Sequence, residues 1–308
     1  MTGSVPELRL SDFTGGDPAA RAGFRDSLYA SLRRWGFVIL SDHNVPVELL
    51  DSAYALSAAL FDQPEAEKRA LAGGLRGYTP FGAEHARDSH APDLKEFWQI
   101  GREPTPEALL VEPLPPNVWP ATPAGFQDTF QALYEGLDRT GQLLLSALAP
   151  SLGLPEDWFD SRVRFGPSIL RLLHYPPIPS DAPPGAVRSA AHEDINFLTI
   201  LVAARGAGLQ LRDQDGSWVA VETEPGKLIV DSGDMLARLT NGEIPATTHR
   251  VVNPEGPNIS RYSMPFFLHP HSDLSLAPLP SCRHLRPPEP DITAGEFLSQ
   301  RLREIGLA

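Results

Sequence analysis

Cysteine is nearly absent from this sequence, because Cys282 is the only one among 308 residues. A single cysteine cannot form an intrachain disulfide, so a disulfide framework is excluded and a reducing compartment is expected. The segment around Cys282 is rich in proline and offers no evident base partner. We therefore do not expect this thiol to act as a nucleophile.

Long hydrophobic runs are also missing. No stretch approaches the roughly 18 uninterrupted apolar residues that a membrane-spanning helix requires. Residues 1–6 lack a basic segment followed by an apolar run, so no signal peptide is expected. These features lead us to expect a cytoplasmic protein without a membrane partner.

Basic residues are scarce relative to acidic ones, with 26 against 39 and a formal net charge of −13. A surface of this charge does not favour nucleic acids or anionic membranes, although a local pocket can still be basic. Hydrophobic residues make up 42% of the chain, which is enough for a packed core. Composition leaves the oligomeric state open.

Residues 191–201 predict a β-strand, because phenylalanine, threonine, isoleucine and leucine crowd the second half without glycine or proline. Alternate residues of a strand share a face, so His192 and Asp194 should converge with Cα atoms about 6.5–7 Å apart. His249 is the expected third ligand. Two histidines and one carboxylate, with other positions open, are typical of non-haem Fe(II) oxygenases.

A second pattern follows the third ligand. Arg261 and Ser263 alternate at the start of an apolar run, so both should face the interior of a sheet. A guanidinium binds both oxygens of a carboxylate, and a hydroxyl adds another donor. A buried arginine needs an anion, which either the protein or a bound cosubstrate must supply.

Together these residues resemble the 2-oxoglutarate/Fe(II)-dependent oxygenases, and most of all the isopenicillin N synthase-like branch. Residues 35–46, WGFVILSDHNVP, are similar to that branch's GFF-x-(I/V)-x-(N/D)-H-G-(I/V) segment. Other family landmarks lie at residues 76–78, 93–97, 114–120 and 239–242. The resemblance therefore covers nearly the whole chain, with the metal and carboxylate patterns at family spacing.

The resemblance implies that His192, Asp194 and His249 bind Fe(II), and that Arg261 and Ser263 hold the far carboxylate of 2-oxoglutarate. It also implies dioxygen as a reactant and ascorbate as a candidate reductant. The reaction would hydroxylate, desaturate or close a ring on an unidentified small molecule, with succinate and carbon dioxide as co-products.

One family motif is altered here. Tyr175 matches the second tyrosine of the family's N-Y-Y-P segment, and the resemblance implies that it also contacts the far carboxylate. Leu173 and His174 replace the asparagine and the first tyrosine of that segment. In plant members the asparagine helps to bind the cosubstrate.

The expected fold is mainly β with flanking helices: a double-stranded β-helix, or jelly roll, braced by helices. We divide the chain into an N-terminal non-haem dioxygenase region (5–122), a bracing helix (123–150), a jelly-roll core (165–270) and a C-terminal tail (271–308). All four parts are expected to form one compact unit.

Several helix boundaries are marked by local signals. Asp17-Pro18 should begin a helix that ends at Gly36, and residues 47–61 should form another. Thr122-Pro123 should begin the longest helix, with Pro150 after it. Thr293 and Glu296 form a capping-box pattern for a short C-terminal helix.

The substrate pocket is the least readable part. In family members the region around residues 72–122 covers the mouth of the active site, which makes Tyr78, Phe81, Phe97 and Trp98 candidate pocket residues. His85 and His90 are interpreted as solvated loop residues.

A competing cluster of two histidines and Asp273 occupies residues 269–273, and we interpret it as a solvated loop after the last core strand. Two other functions stay open on sequence alone. One is an iron oxidase of the same branch that needs no 2-oxoglutarate. The other is a jelly-roll binding protein or metal isomerase without oxygen chemistry.

Overall fold

The computed structural model describes residues 4–84, 92–205, 207–287 and 289–304. Its strands are β1 (Glu7–Arg9), β2 (Phe37–Ser41), β3 (Ala72–Gly73), β4 (Arg76–Thr79), β5 (Glu96–Gly101), β6 (Ile169–Tyr175), β7 (Ser189–His192), β8 (Leu198–Arg205), β9 (Leu209–Arg212), β10 (Trp218–Ala220), β11 (Leu228–Ser232), β12 (His249–Val251) and β13 (Arg261–Leu268).

The helices flank these strands. They are α1 (Leu10–Thr14), α2 (Pro18–Trp35), α3 (Val47–Phe61), α4 (Glu65–Arg69), α5 (Pro106–Leu109), α6 (Phe126–Leu148), α7 (Asp160–Val163), α8 (Asp234–Leu239) and α9 (Ala294–Glu304), with a 3-10 turn at Ala149–Leu152. None of the helices in the described ranges has both the length and the apolar character needed to cross a membrane.

The strands form two sheets. A large sheet has the order β1-β2-β11-β8-β13-β6-β5-β4-β3, and a small sheet has the order β10-β9-β12-β7. An apolar cluster contains buried side chains from both sheets, so the sheets face each other across it. Members of this cluster include Phe97, Leu173, Tyr175, Leu201, Ile229, Leu209, Leu211 and Val251. We call the side of the large sheet that faces this cluster its inner face. The predicted jelly roll is confirmed.

The outer face of the large sheet carries the larger apolar core. Strand residues such as Trp98, Leu170 and Phe266 pack there with residues of α2, α3 and α6. Helix α6 braces the sheet as expected, but it begins at Phe126 rather than at Thr122-Pro123. Gly125 precedes it with φ of 78°, so the proline belongs to the connection before the helix.

The local boundary signals of two helices act as predicted. The Asp17 side chain accepts hydrogen bonds from the backbone N–H groups of Ala19 and Ala20, both at 2.9 Å, and Gly36 ends α2 in the left-handed conformation with φ of 65°. At α9, Glu296 accepts from the Thr293 backbone N–H at 3.0 Å, while the Thr293 hydroxyl accepts from the Glu296 N–H at 3.3 Å.

His269 contradicts the prediction of a solvated loop at residues 269–273. Its imidazole is buried directly after β13, and its backbone N–H donates to the Ser168 hydroxyl at 3.1 Å. Burial lowers the pKa of His269 to about 4. The solvated-loop prediction was wrong for this residue because the chain stays against the sheet for one residue beyond β13.

The buried imidazole of His269 predicts acid sensitivity. The folded chain keeps it neutral down to about pH 4, whereas an unfolded histidine takes up a proton below about pH 6.5. The free energy of unfolding of the metal-free protein should therefore fall as the pH decreases from about 6.5 towards 4. Urea titrations across this range should show a shallower fall for His269→Gln. The control His271→Gln, outside the core, should behave like wild type, and identical curves for all three proteins would contradict the assignment.

Candidate metal centre and cosubstrate pocket

The three predicted metal ligands meet at one end of the space between the sheets. His192 is the last residue of β7 and His249 the first of β12, and the two are direct partners in the antiparallel ladder. Asp194 follows β7 by two residues, and its Oδ1 lies 3.7 Å from His192 Nε2 and 3.9 Å from His249 Nε2. Ligand atoms of the three residues all lie within 4.8 Å of one another. One small cation could therefore contact all three side chains.

The backbone that carries Asp194 differs from the prediction. Residues 191–201 are not one strand, because β7 ends at His192 and β8 begins at Leu198. The carbonyl oxygen of Asp194 accepts from the Asp234 N–H at 2.7 Å, and that of Ile195 from the Met235 N–H at 3.1 Å. N–H groups in the first turn of α8 thus donate to these two carbonyl oxygens, which in a continuous strand would accept from a neighbouring strand. His192 and Asp194 converge through a turn.

Both imidazoles are oriented by backbone carbonyls. His192 Nδ1 lies 2.7 Å from the Ala190 carbonyl oxygen, and His249 Nδ1 lies 3.2 Å from that of Thr247. Each carbonyl can only accept, so the neutral rings carry their proton on Nδ1 and direct the Nε2 lone pair towards Asp194. Burial and the nearby His192 lower the pKa of His249 to about 4, so its ring is neutral at neutral pH. This is the form that binds a metal.

The second oxygen of the Asp194 carboxylate is held by a hydrogen bond from a hydroxyl group. The Thr199 hydroxyl donates to Asp194 Oδ2, and Asn196 Nδ2 donates to the Thr199 oxygen at 3.0 Å. Burial raises the pKa of Asp194, but His249, His192 and the Thr199 hydroxyl outweigh burial and lower it below the usual value. The carboxylate is therefore ionised, with Oδ1 turned towards the imidazoles.

Asp231 on β11 is a second buried acid beside Asp194. Burial and the negative charge of Asp194 raise the pKa of Asp231 well above its ordinary value. The protonated form of Asp231 is thereby favoured, and Asp231 shares a hydrogen bond with Asp194. Ionisation of one of these two acids opposes ionisation of the other, which limits the negative charge that the pair places beside the imidazoles.

The predicted carboxylate-binding residues lie deeper between the sheets. Arg261 and Ser263 share the inner face of β13, and Tyr175 on β6 is the ladder partner of Arg261. The Arg261 guanidinium carbon lies 5.1 Å from the centre of the Tyr175 ring. All three side chains are buried. The structure therefore brings the three residues together, away from bulk solvent.

A cavity of about 590 Å³ adjoins this group. Its walls are mostly small or apolar, and Arg261 is the cation among its lining residues. The lining residues are Leu201, Ala204, Ala207, Gly208, Leu209, Val221, Glu222, Thr223, Pro225, Ile229 and Arg261.

The two substitutions in the N-Y-Y-P segment face opposite ways. Leu173 lies on the inner face, where it supplies no hydrogen bond in place of the family's asparagine. His174 points to the outer side, where its ring stacks 4.7 Å from that of Tyr262 and its Nδ1 lies 2.7 Å from Glu96 Oε1. The exchange of tyrosine for histidine therefore lies on the face turned away from the metal centre.

The candidate substrate-pocket residues that lie on strands are found on both faces of the large sheet. Phe97 lies on the inner face and belongs to the apolar cluster between the sheets. Trp98 packs edge-on against Phe126 of α6 at 5.8 Å, and the Tyr78 hydroxyl donates to Glu96 and to Glu65 within the outer core. The pocket prediction is therefore wrong for Tyr78 and Trp98.

Phe81 is 38% exposed on the connection after β4, and its role stays a prediction. His85 and His90 lie outside the described residues.

A cluster of buried charges beside the metal centre was not predicted from the sequence. Lys95 Nζ lies 2.7 Å from Glu84 Oε2, and Arg171 contacts Glu84 Oε1 and Gln99 Oε1, each at 3.1 Å. Burial opposes ionisation of Glu84, but Lys95 and Arg171 bring its pKa down to about 2. The Arg171 guanidinium also lies 4.3 Å from the Phe97 ring centre. Gln99 is two residues after Phe97 on β5, and Arg171 is four residues before Tyr175 on β6. Strand alternation therefore places both on the inner face, a placement that the sequence could have predicted.

A jelly roll with two imidazoles and one carboxylate at one end, and a buried arginine deeper inside, defines the class of non-haem iron oxygenases. Residues 5–122 match the family "non-haem dioxygenase in morphine synthesis N-terminal", and residues 166–270 match the "2OG-Fe(II) oxygenase superfamily". A 2-oxoglutarate-Fe(II) type oxidoreductase of Emericella nidulans is 31% identical, over 95% of this chain and 88% of the relative.

Solved structures agree with this assignment. A protein of Caulobacter crescentus from the 2OG-Fe(II) oxygenase family is 41% identical and superposes with a TM-score of 0.87, covering 98% of this chain and 99% of the other. A full-length protein of Neurospora crassa, in complex with 2-oxoglutarate and thymine, is 28% identical with a TM-score of 0.87, covering 97% of this chain and 96% of the other. The chain belongs to the 2OG-Fe(II) oxygenase superfamily, as predicted, and is a dioxygenase that uses Fe(II) and 2-oxoglutarate.

Gly233 gives a test of how the ligand turn is positioned. A Cβ atom at Gly233 would overlap the Asn196 carbonyl oxygen and lie 2.8 Å from that of Asp194, so Gly233→Ala must displace this turn. We expect Fe(II) affinity to fall about 10- to 100-fold, as for other changes behind a metal ligand. Anaerobic Fe(II) titration measures this.

The matched control is Gly23→Ala on the exposed side of α2, where an added Cβ meets no atom within 4 Å. It should leave Fe(II) affinity unchanged and stabilise the helix by about 0.5–1 kcal/mol. Wild-type affinity in Gly233→Ala would mean that the position of the turn does not control the metal site.

Proposed function

We propose that His192, Asp194 and His249 hold the iron, and that Arg261, Ser263 and Tyr175 bind the far carboxylate of 2-oxoglutarate. The proposal is carried by one observation, the convergence of three metal-ligand side chains within 4.8 Å at one end of the jelly roll. Two neutral imidazoles and one carboxylate are the donor set that suits Fe(II) while leaving coordination positions for a cosubstrate.

Iron and 2-oxoglutarate, when bound, supply the oxidising chemistry with dioxygen and release succinate and carbon dioxide. The chain contributes position and environment. The carbonyls of Ala190 and Thr247 fix the ring orientation of the two histidines, and the Thr199 hydroxyl restrains the carboxylate of Asp194.

The primary substrate is a small molecule that lies against the charged cluster beside the metal. Arg171, Glu84 and Gln99 offer both donors and acceptors next to the Phe97 ring, a combination that suits a flat molecule with polar edges. The Neurospora crassa complex contains thymine, which has this chemistry. Pyrimidines and related amide-containing rings are therefore the first compounds to screen for accelerated 2-oxoglutarate turnover.

Two parts of the chain contribute different residues to the proposed site. Residues 5–122 supply Phe97, Gln99 and Glu84 to the substrate side, while residues 165–270 supply the iron and cosubstrate ligands. We place the enzyme in the cytoplasm, without nucleic acid or membrane partners, on the basis of its single cysteine and its net charge of −13.

Anaerobic spectroscopy tests the proposed function against its alternatives. Addition of Fe(II) and then 2-oxoglutarate should produce a weak visible charge-transfer band, and later admission of air should yield succinate. An iron oxidase that does not use 2-oxoglutarate would bind iron without this band. A binding protein or isomerase would form no succinate in air even with the substrate pool of a cell extract.

Arg261→Ala should separate cosubstrate binding from iron binding. Loss of a charged hydrogen bond costs roughly 1.5–3 kcal/mol, so 2-oxoglutarate affinity should fall about 10- to 100-fold while Fe(II) affinity is retained. Ser263→Ala removes a neutral donor from the same face and should have a smaller effect. Titration of the charge-transfer band measures both. A parallel loss of iron affinity in Arg261→Ala would indicate a structural role instead.

A further inference from the structure

Arg188 is a buried cation outside the residues predicted to bind iron or 2-oxoglutarate. It directly precedes β7 and stands four residues before His192, about 13 Å away along an extended chain. The ladder pairs His192–His249 and Ser189–Val251 differ by one residue in register, so alternation along β7 is interrupted and the direction of the Arg188 side chain follows from its own contacts. Only 3% of Arg188 is exposed.

The hydrogen bonds of Arg188 leave its charge uncompensated by any carboxylate in the described part of the chain. Nη2 donates to the Ile259 carbonyl oxygen at 2.6 Å, while Nε is buried without a hydrogen-bond partner among the described residues. The backbone is firmly placed, since the Arg188 N–H donates to Asn253 Oδ1 at 3.1 Å. A buried guanidinium in this state is costly, and an anion would stabilise it.

Another guanidinium lies near Arg188. The bond to Ile259 places the Arg188 side chain against the segment that leads into Arg261, the first residue of β13. Burial and the positive charge of Arg261 lower the pKa of Arg188, while Tyr175 raises it. Arg188 therefore lies near Arg261 and Tyr175, which are ladder partners at the start of β13 and the end of β6.

We propose that Arg188 is a second guanidinium for the far carboxylate of 2-oxoglutarate, acting together with Arg261. This inference rests on the proposed function, in which Arg261 binds that carboxylate. A carboxylate has two oxygens, so it can accept from both arginines at once, and its charge relieves their mutual repulsion. Arg188 then makes the pocket selective for 2-oxo acids that carry a second carboxylate.

The test compares the binding of two 2-oxo acids of equal chain length. The Fe(II) enzyme is titrated anaerobically with 2-oxoglutarate and with 2-oxopentanoate, which lacks the far carboxylate, and the charge-transfer band is followed. Arg188→Met keeps an unbranched stem and removes the charge. Its affinity for 2-oxoglutarate should fall about 10- to 100-fold, and its affinity for 2-oxopentanoate should stay at the wild-type value. Arg188→Lys should recover part of the loss, because it restores the charge without the planar fork.

Arg212→Met is the matched control, since Arg212 is an exposed arginine on β9. It should leave the affinity for both acids unchanged. Equal weakening of both acids in Arg188→Met, or no weakening of either, would overturn the inference. If Arg188→Met does not fold, the same comparison in Arg188→Lys decides, because a loss confined to 2-oxoglutarate supports the role and any other result opposes it.

Different results would contradict the proposed function and the role of Arg188. A wild-type enzyme that develops no band with 2-oxoglutarate contradicts the proposed function itself. A wild-type band together with an unchanged preference for the diacid in Arg188→Met contradicts only the role of Arg188.

Discussion

The direct cross-strand pairing of His192 with His249 is the constraint on which the proposed metal centre depends. A shift of one residue in this antiparallel register would turn one of the imidazoles to the opposite face of the small sheet. The third proposed ligand depends on a different contact, since the N–H groups at the start of α8 hold the turn that carries Asp194. The metal centre is thus a product of one ladder register and one docked helix.

Charge is arranged in opposite senses at the two ends of the pocket. The metal end has the ionised Asp194 with Asp231 beside it, whose pKa is raised well above its ordinary value, and the other end has Arg261 with Arg188 near it. A cation at one end and a carboxylate at the other would each neutralise what the fold has buried, so binding of iron and of a diacid stabilises the same structure. The net charge of the whole chain, −13, gives no indication of this local pattern.

The features that could be predicted from the sequence are those set by local chemistry or by a specific motif. The caps at Asp17 and Thr293 need only neighbouring backbone groups, and the metal residues stand at the spacing typical of the family. The errors came from information that is not local. Alternation leaves open which face of β5 is inner, so Trp98 was assigned to the wrong side. The turn after His192 forms because α8 packs against it. The roles of Arg188 and Arg171 could not be predicted because they depend on contacts with residues that are distant in the sequence.

The most direct test of the account is an anaerobic crystal structure of the protein with Fe(II) added. The account predicts one ion bound by Nε2 of His192, Nε2 of His249 and a carboxylate oxygen of Asp194, at first-row metal–ligand distances of about 2.0–2.2 Å. An ion bound elsewhere, or one held by a single member of this group with the others turned away, would contradict it.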